Sequence, residues 1–164
     1  MTIDSAVFRS TLGHYPTGVC AITAVQPDGT PAAMIVGSFT SVSLDPPLVA
    51  FFPDKGSSSW PKIESAGRFC VNILGDAQEG LCRILASKDP RKFDDVPHHL
   101  SGLGSPVIDG AIAWIDCTMH AIHEAGDHYI VLGQVEALDV HHPGEPLLFH
   151  KGGYGQVKPL GAMN

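Results

Sequence analysis

Hydroxyl side chains are concentrated in one segment of the sequence, residues 37–44. After a glycine, the segment carries Ser38, Thr40, Ser41 and Ser43. A hydroxyl can donate and accept hydrogen bonds, so this density suits the binding of a polar, anionic small molecule. Because polar and apolar residues do not alternate regularly, we predict a strand that leaves its sheet to line a binding site. A solvent-facing strand rich in Ser and Thr is the alternative.

Two further segments have the composition of a phosphate site. Residues 57–59 are all serine and precede Trp60, so a helix starting there would present free backbone N–H groups beside the hydroxyls. Residues 88–92 contain three cations, which together can neutralise a phosphate. The alternatives are an ordinary helix cap for the first segment and a solvated charged loop for the second.

Two segments in the last third of the chain could contact a ligand. His128 follows Gly126-Asp127, a two-residue turn typical of a β-hairpin, and a neutral histidine there can donate one hydrogen bond. Tyr154 lies among glycines at positions 152, 153 and 155, which allow close backbone approach beside one aromatic ring. An exposed hairpin tip and a flexible tail are the alternatives.

Motifs for nucleophilic or metal chemistry are not evident. The sequence contains no G-x-S-x-G, P-loop or G-x-G-x-x-G motif, so a nicotinamide cofactor would not bind as in a dinucleotide-binding fold. The four cysteines lack metal-type spacing, and we predict that they are buried free thiols. We predict no metal site. A haem- or metal-binding barrel that uses His120, His123 or His128 remains as an alternative.

Length and charge restrict the class of partner. The chain has 164 residues, and we expect a single domain over residues 1–164 with its core within about 8–155. A formal net charge of −7 offers no general attraction for nucleic acid. We find no apolar run of about 18 residues and no signal-peptide pattern, so we expect a cytoplasmic protein without membrane contact.

Short strands separated by turns dominate the pattern. We predict strands at residues 19–25, 31–36, 48–52, 68–74, 111–124, 128–140 and 147–150. They do not alternate with helices as a doubly wound parallel sheet requires. The strand pattern therefore predicts a mainly β protein, a closed antiparallel barrel with a few covering helices.

Three short helices are expected around these strands. The first begins after Asp4 or Ser5, which can cap it. Its inward-facing residues are predicted to be Val7, Phe8, Thr11 and Leu12. Further helices are predicted up to Ile63 after the serines, and over residues 78–86 with Leu81, Ile84 and Leu85 inward. Residues 87–106 form a long polar connection, part of which we expect to be helical or to line a site.

Six pieces, taken in order, resemble the flavin reductase-like family. Its best-known members are the small reductase components of two-component flavin-dependent monooxygenases. The pieces are residues 15–19, 37–49, 69–74, 87–93, 126–128 and 148–154. Each piece is short, but their order and rough spacing match the family from about Phe8 to Tyr154.

The resemblance implies a fold and an activity. The fold is an antiparallel, Greek-key split β-barrel that forms a homodimer and binds FMN or FAD near the subunit interface. The activity is reduction of the flavin by NADH or NADPH, after which the reduced flavin leaves or serves an oxygenase component. The alternative within the same barrel is an electron carrier or sensor that retains FMN tightly.

The resemblance also implies roles for individual residues. Those implied to contact or border the flavin ring and its ribityl chain are Met34, Ile35, Val36, Gly37, Ser38, Thr40, Ser41, Ala50, Phe51 and Tyr154. Ser57 and Ser58 are implied to lie near the phosphate, with Lys88 as its counter-charge. His128 is implied as the catalytic-site residue that orients the nicotinamide nucleotide or donates a hydrogen bond, without abstracting a proton.

Two positions depart from the family pattern. Many relatives carry Ala-Asn where this chain has Val36-Gly37, so a side-chain amide that could bond the flavin is missing. Trp60 is bulky where a smaller or hydroxyl residue is common. We expect these positions to influence the choice of flavin.

Overall fold

The computed structural model describes residues 2–161; the outermost residues of the predicted 1–164 domain lie outside that part. The helices are α1 (Ser5–Leu12), α2 (Trp60–Ala66) and α3 (Glu79–Ala86), the last preceded by a 3-10 turn, Asp76–Gln78. The strands are β1 (Thr17–Gly18), β2 (Cys20–Val25), β3 (Pro31–Val36), β4 (Thr40–Leu44), β5 (Pro47–Phe51), β6 (Arg68–Ile73), β7 (His98–Leu100), β8 (Pro106–Ile108), β9 (Ala113–Ala125), β10 (His128–Val140), β11 (Leu147–His150) and β12 (Gly153–Gln156).

A seven-stranded antiparallel sheet forms the centre of the molecule, in the order β3-β2-β6-β9-β10-β5-β4. A three-stranded sheet, β1-β11-β12, and a two-stranded one, β7-β8, accompany it. The prediction of a mainly β, antiparallel protein is confirmed. The closed barrel predicted from the strand pattern is wrong as a hydrogen-bonded ring, because β3 and β4 are the two edges of the sheet and do not pair.

Glycines with positive φ make the two hairpin turns that the sequence predicts. Between β2 and β3, Asp28 Oδ1 accepts a hydrogen bond from the Thr30 N–H at 2.8 Å, and Gly29 has φ +88°. Between β9 and β10, Gly126 has φ +65°. A side chain is strained at such angles, so glycine fits both turns.

Apolar side chains pack on both faces of the large sheet. One core contains Phe51, Trp60 and Phe69; the rings of Phe51 and Phe69 meet edge to face with centroids 5.1 Å apart. A Cβ at Gly133 would come within 2.5 Å of the Phe69 ring, so this core has room only for a glycine at position 133. The second core includes Leu85 of α3 and covers the opposite face.

A buried polar cluster anchors the long connection between α3 and β9. The Asn72 side chain accepts a hydrogen bond from the Ile108 N–H at 2.8 Å and donates one to Thr23 Oγ1 at 3.0 Å. Thr23 donates in turn to the Pro106 carbonyl at 2.6 Å. Part of residues 87–106 was expected to be helical or to line a site. The regular structure found there is strand, β7 and the start of β8, and residues 87–90 line a cavity.

Helix α1 has the predicted cap but not the predicted packing. Asp4 Oδ1 accepts hydrogen bonds from the N–H groups of Ala6 and Val7 at 2.9 and 3.0 Å. The expectation that its apolar stripe faces inward is wrong: Val7, Phe8 and Leu12 are 61%, 53% and 55% exposed. No residue of this helix is buried.

Smaller differences occur in α3 and near the C-terminus. In α3 the buried residues are Cys82 and Leu85, while Ile84, predicted to face inward, is exposed. The glycine-rich segment predicted as a tail forms β12, since it pairs with β11. All four cysteines are free and buried, as predicted.

No helix within residues 2–161 is long and apolar enough to cross a membrane. Across the same residues, no group of three or more His, Cys, Asp or Glu side chains is arranged to hold a metal ion.

Candidate functional site

The hydroxyl-rich segment leaves β3 and crosses to β4 in three residues, 37–39. A cavity of about 300 Å³, the Gly37 cavity, opens beside this crossing. The residues that bring polar groups or backbone to it include Thr17, Gly37, Ser38, Thr40 and Phe52. The segment therefore borders a cavity, but the prediction that its strand leaves the sheet is wrong, because β4 pairs with β5 as an edge of the large sheet.

Ser38 is fixed in this cavity by one neighbour. Its Oγ accepts a hydrogen bond from the Phe52 N–H at 3.1 Å and lies 3.4 Å from the Phe52 carbonyl, to which it donates. Thr40 Oγ1 donates to the Ser41 carbonyl at 3.2 Å. Ser41 itself is exposed on β4 opposite Val49, just beyond the cavity. Ser38 and Thr40 are thus the hydroxyls of this segment that face the cavity.

The preceding strand borders a second cavity, the Tyr154 cavity. It is lined by Ile35, Val36, Gly37 and Tyr154, so Gly37 belongs to both cavities. Met34, the other predicted backbone contact, is half-buried and packs against the first core.

Tyr154 is held by a contact that the sequence does not reveal. Its hydroxyl lies 3.1 Å from the Cys82 thiol, and the Arg83 guanidinium lies 5.0 Å from the centre of its ring. Burial raises the pKa of Cys82, and the hydrogen bond with Cys82 raises the pKa of Tyr154. The phenol therefore stays protonated through the physiological pH range.

Lys88 lies in a third cavity, which we call the lysine pocket. Lys62, Lys92, Ser59 and Ser87 also line it. Within residues 2–161, no carboxylate forms an ion pair with Lys62 or Lys88. Asp89 also lines the pocket, but its carboxylate contacts Arg91, so two ammonium groups remain next to two hydroxyls, a combination that suits a phosphate.

Lys92 binds backbone carbonyls and is not available to a phosphate. Its ammonium donates hydrogen bonds to the carbonyls of Ala33, Leu85 and Ser87 at 2.9, 2.8 and 3.3 Å. An ammonium has three donors, so none is left for a phosphate. Burial, with Lys62 nearby, lowers the pKa of Lys92. Lys92 ties the wall of the lysine pocket to β3.

The three serines before α2 have different surroundings. Ser57 Oγ accepts hydrogen bonds from the N–H groups of Ser59 and Trp60 at 3.2 and 3.3 Å, as a helix cap does. Ser58 is exposed, and Ser59 is the serine that lines the lysine pocket. The predicted phosphate residues Ser57 and Ser58 thus stand next to the pocket wall.

Ala50 and Phe51 lie behind the hydroxyl segment. Ala50 is buried and pairs with Thr40 across β4 and β5. Phe51 is fully buried, packed edge-on against Trp60 and Phe69. The structure presents no exposed surface of Phe51 to a ligand, so it supports the site from the core.

His128 opens β10 directly after the hairpin turn. Its Nδ1 lies 2.7 Å from Asp127 Oδ1, and this hydrogen bond lowers the pKa of Asp127. The backbone of His128 bridges to Asp54. Because Asp127 holds one ring nitrogen, the other is left to meet a ligand.

One short segment brings these parts together. Phe52 bonds Ser38, and Asp54, two residues later, bridges to His128. Along β3, Ala33 at the lysine pocket and Gly37 are four residues apart, about 13 Å in an extended strand. Of the predicted residues, Ser38, Thr40 and Lys88 therefore lie along one path, with cations at one end, hydroxyls at the other, and His128 attached beside the hydroxyls. Ser41, Ser57, Ser58 and Phe51 line neither cavity.

Known proteins are similar to this chain over nearly its whole length. The model of the family described as "Flavin reductase like domain" matches residues 12–158. A flavin reductase of Pseudomonas putida is 60% identical over 153 residues, which cover 93% of this chain and 90% of that protein. The chain belongs to the flavin reductase-like family.

Solved structures of similar chains agree with this family. Nitrilotriacetate monooxygenase component B from Mycobacterium thermoresistibile is 44% identical with a TM-score of 0.93, covering 98% of this chain and 90% of that chain. The NADH:FAD oxidoreductase of Streptomyces globisporus, in complex with NAD and FAD fragments, is 33% identical with a TM-score of 0.90 and 99% coverage of both chains.

The site of this flavin reductase-like chain fits a flavin nucleotide. A flavin nucleotide combines a polar ring system, a hydroxylated chain and a phosphate, and the path along β3 offers hydroxyls, backbone groups and unpaired ammonium groups in that order. Sequence reasoning missed Thr17, Lys62 and Phe52. The sequence contains a signal for Thr17, because residues 15–19 are one of the pieces that resemble the family. It contains none for Lys62, since only the fold brings α2 beside the loop after α3.

Proposed function

We propose that this protein oxidises NADH or NADPH, reduces FMN or FAD, and supplies reduced flavin to a partner oxygenase. The observation that carries the proposal is the path along β3, where the Gly37 cavity and the lysine pocket lie about 13 Å apart. The similar proteins support it, since they include a flavin reductase and a monooxygenase component.

The residues of the chain bind and orient; they do not act as nucleophiles. A bound flavin supplies the chemistry, as the acceptor of a hydride from the nicotinamide. Ser38 and Thr40, with the backbone of residues 34–37, hold the ring end and the ribityl chain. Lys88 and Lys62 hold the phosphate, with Ser57 and Ser58 shaping the adjacent wall. Holding the nicotinamide and flavin rings face to face accelerates hydride transfer by proximity and orientation.

His128 orients the nicotinamide nucleotide in this proposal. The hydrogen bond to Asp127 fixes its ring, and the bridge to Asp54 holds its backbone beside the hydroxyl segment. His128 donates one hydrogen bond and transfers no proton. Tyr154, Ala50 and Phe51 complete the surroundings of the ring, the last two from behind.

We also propose the split-barrel form of the fold. The edges β3 and β4 do not pair, yet three residues connect them. An extended chain advances at most about 3.6 Å per residue, so Val36 and Thr40 lie within about 14 Å. The sheet must therefore curl until its edges nearly meet. We propose that the chain forms a single domain and works in the cytoplasm. That compartment is reducing, and free thiols such as its four cysteines are usual there.

A homodimer is proposed from the uncovered face of α1. Val7, Phe8 and Leu12 are each more than half exposed, as are Val42 and Leu44 of β4. Exposed apolar side chains that form one continuous patch often mark an interface. A second copy of the chain would cover them, and the edge β4 lies beside the Gly37 cavity.

The test is a kinetic and spectroscopic comparison of cofactors. NADH and NADPH oxidation is followed with FMN, FAD and riboflavin, and the spectrum of the purified protein is recorded before and after gel filtration. We expect turnover with added flavin and a protein that loses its yellow colour on filtration. Retained flavin without turnover would instead identify an electron carrier, and no turnover of either nucleotide would refute the reductase.

A further inference from the structure

Gly37 lies against a single atom of Thr17. A Cβ built on Gly37 would lie 2.5 Å from Thr17 Oγ1, far inside contact distance. Its next neighbours, Thr17 Cβ and the Gly18 carbonyl oxygen, lie at 3.4 and 3.6 Å, which is ordinary contact. The space that a side chain at position 37 would use is thus filled by the Thr17 hydroxyl.

The position of Thr17 is set by the three-stranded sheet. Thr17 pairs with Phe149 of β11, so the backbone of β1 is held by this sheet. Within residues 2–161, the Thr17 hydroxyl takes part in no side-chain hydrogen bond, yet it lines the Gly37 cavity with Ser38 and Thr40. A fixed hydroxyl without a protein partner is free to bond a ligand.

We infer that Thr17 is a binding residue of the proposed flavin site, and that its hydroxyl, beside Gly37 in the cavity, forms a hydrogen bond with the ligand. The inference rests on the proposed function. The Gly37 cavity lies at the end of β3 away from the lysine pocket, so the ligand group is the flavin ring and not its phosphate. Gly37 is required because any larger residue displaces this hydroxyl.

Displacement, not misfolding, is the expected effect of a methyl group at position 37. Only Oγ1 of Thr17 is closer than 3.4 Å, and rotation about the Cα–Cβ bond of Thr17 can move it away. Gly37→Ala should therefore act through Thr17. Removing the hydroxyl by Thr17→Ala should give the same defect and also remove the clash.

The experiment is a double-mutant cycle on flavin affinity. Thr17→Ala, Gly37→Ala, the double variant and Thr17→Ser are compared with wild type and with Thr11→Ala, an exposed control on α1. Dissociation constants for FMN, riboflavin and lumiflavin are measured by flavin fluorescence, and the Tm of each flavin-free protein is recorded to monitor folding.

Each single alanine variant should weaken all three flavins about three- to tenfold, the worth of one hydrogen bond. The double variant should bind as either single variant does, and Thr17→Ser should stay within about twofold of wild type. Thr17→Ala with unchanged affinity, losses that multiply in the double variant, or a loss confined to FMN would each overturn the inference. If Gly37→Ala does not fold, the comparison of Thr17→Ala with Thr17→Ser still decides. Wild-type protein that binds no flavin would refute the proposed function instead.

Discussion

The ammonium of Lys92 donates a hydrogen bond to the carbonyl oxygen of Ala33 at 2.9 Å. The two residues are far apart in sequence, and the contact joins the loop after α3 to the first half of β3. Two further carbonyls, of Leu85 and Ser87, complete the set. Lys88 follows directly on this clamped turn, so its placement at the lysine pocket depends on Lys92.

Replacement of Lys92 should therefore impair phosphate binding without removing a phosphate ligand. In Lys92→Met three carbonyls lose their donor, which we expect to cost about 1–3 kcal/mol of unfolding free energy. FMN should bind several-fold more weakly, and Lys92→Gln, which keeps two donors, should recover part of both losses. Urea unfolding and FMN titration measure the two effects; an unchanged Lys92→Met protein would contradict the clamp.

Lys88→Ala should distinguish flavins by their phosphate. Lys88 is exposed, so its ion pair with a phosphate should be worth about fivefold in affinity, and only FMN carries that group. We expect weaker FMN binding and unchanged riboflavin binding, with Lys158→Ala as an exposed control. Equal losses for both flavins would remove Lys88 from the phosphate site.

His128→Ala should affect the nucleotide and spare the flavin. Losing one hydrogen bond should lower kcat/KM for NADH or NADPH roughly three- to tenfold, while the FMN dissociation constant stays near that of wild type. His123→Ala, on the exposed part of the same hairpin, is the control. The nucleotide role is wrong if flavin binding collapses together with turnover.

Phe8→Asp should separate the proposed dimer. Phe8 is 53% exposed on α1, so a charge there costs an isolated chain little but disfavours burial against a second copy. Sedimentation should show dimers for wild type and monomers for the variant, with Arg9→Asp on the same helix remaining dimeric. A monomeric wild type would refute the dimer.

The phenol of Tyr154 should ionise at higher pH than a free tyrosine. Its hydrogen bond with Cys82 raises its pKa in the folded state. The stabilisation is therefore complete below the ordinary value of about 10 and is lost as pH rises through the folded pKa. Ultraviolet titration, with Tyr154→Phe to assign the signal, should show the late ionisation. Cys82→Ala should lower the pKa of Tyr154. An unchanged titration curve would show that the contact with Cys82 does not affect the phenol.

The order of strands and turns could be read from the sequence because local chemistry decides them. The glycines at 29 and 126 take positive φ, and the two strands that flank each glycine pair as predicted. The packing of α1 could not be read, because an amphipathic pattern says which face is apolar and not whether this chain covers it.

The candidate site was predictable where hydroxyls cluster in sequence and unpredictable where contacts are distant. Ser38 and Thr40 face one cavity as their segment indicated. The sequence does not distinguish the three cations at 88–92. In the structure the Lys92 ammonium is already hydrogen-bonded to backbone carbonyls, and Lys62 supplies a further cation to the lysine pocket. Sequence shows charge; only the fold shows which charge is already satisfied.

The clamp on Ala33 also has a consequence for solubility. β3 is an outer strand of the large sheet, and the open side of such a strand invites pairing with another polypeptide. Lys92 occupies one of its carbonyls and places a positive charge along that side. The same lysine that orders the pocket wall therefore discourages strand addition and, with it, aggregation.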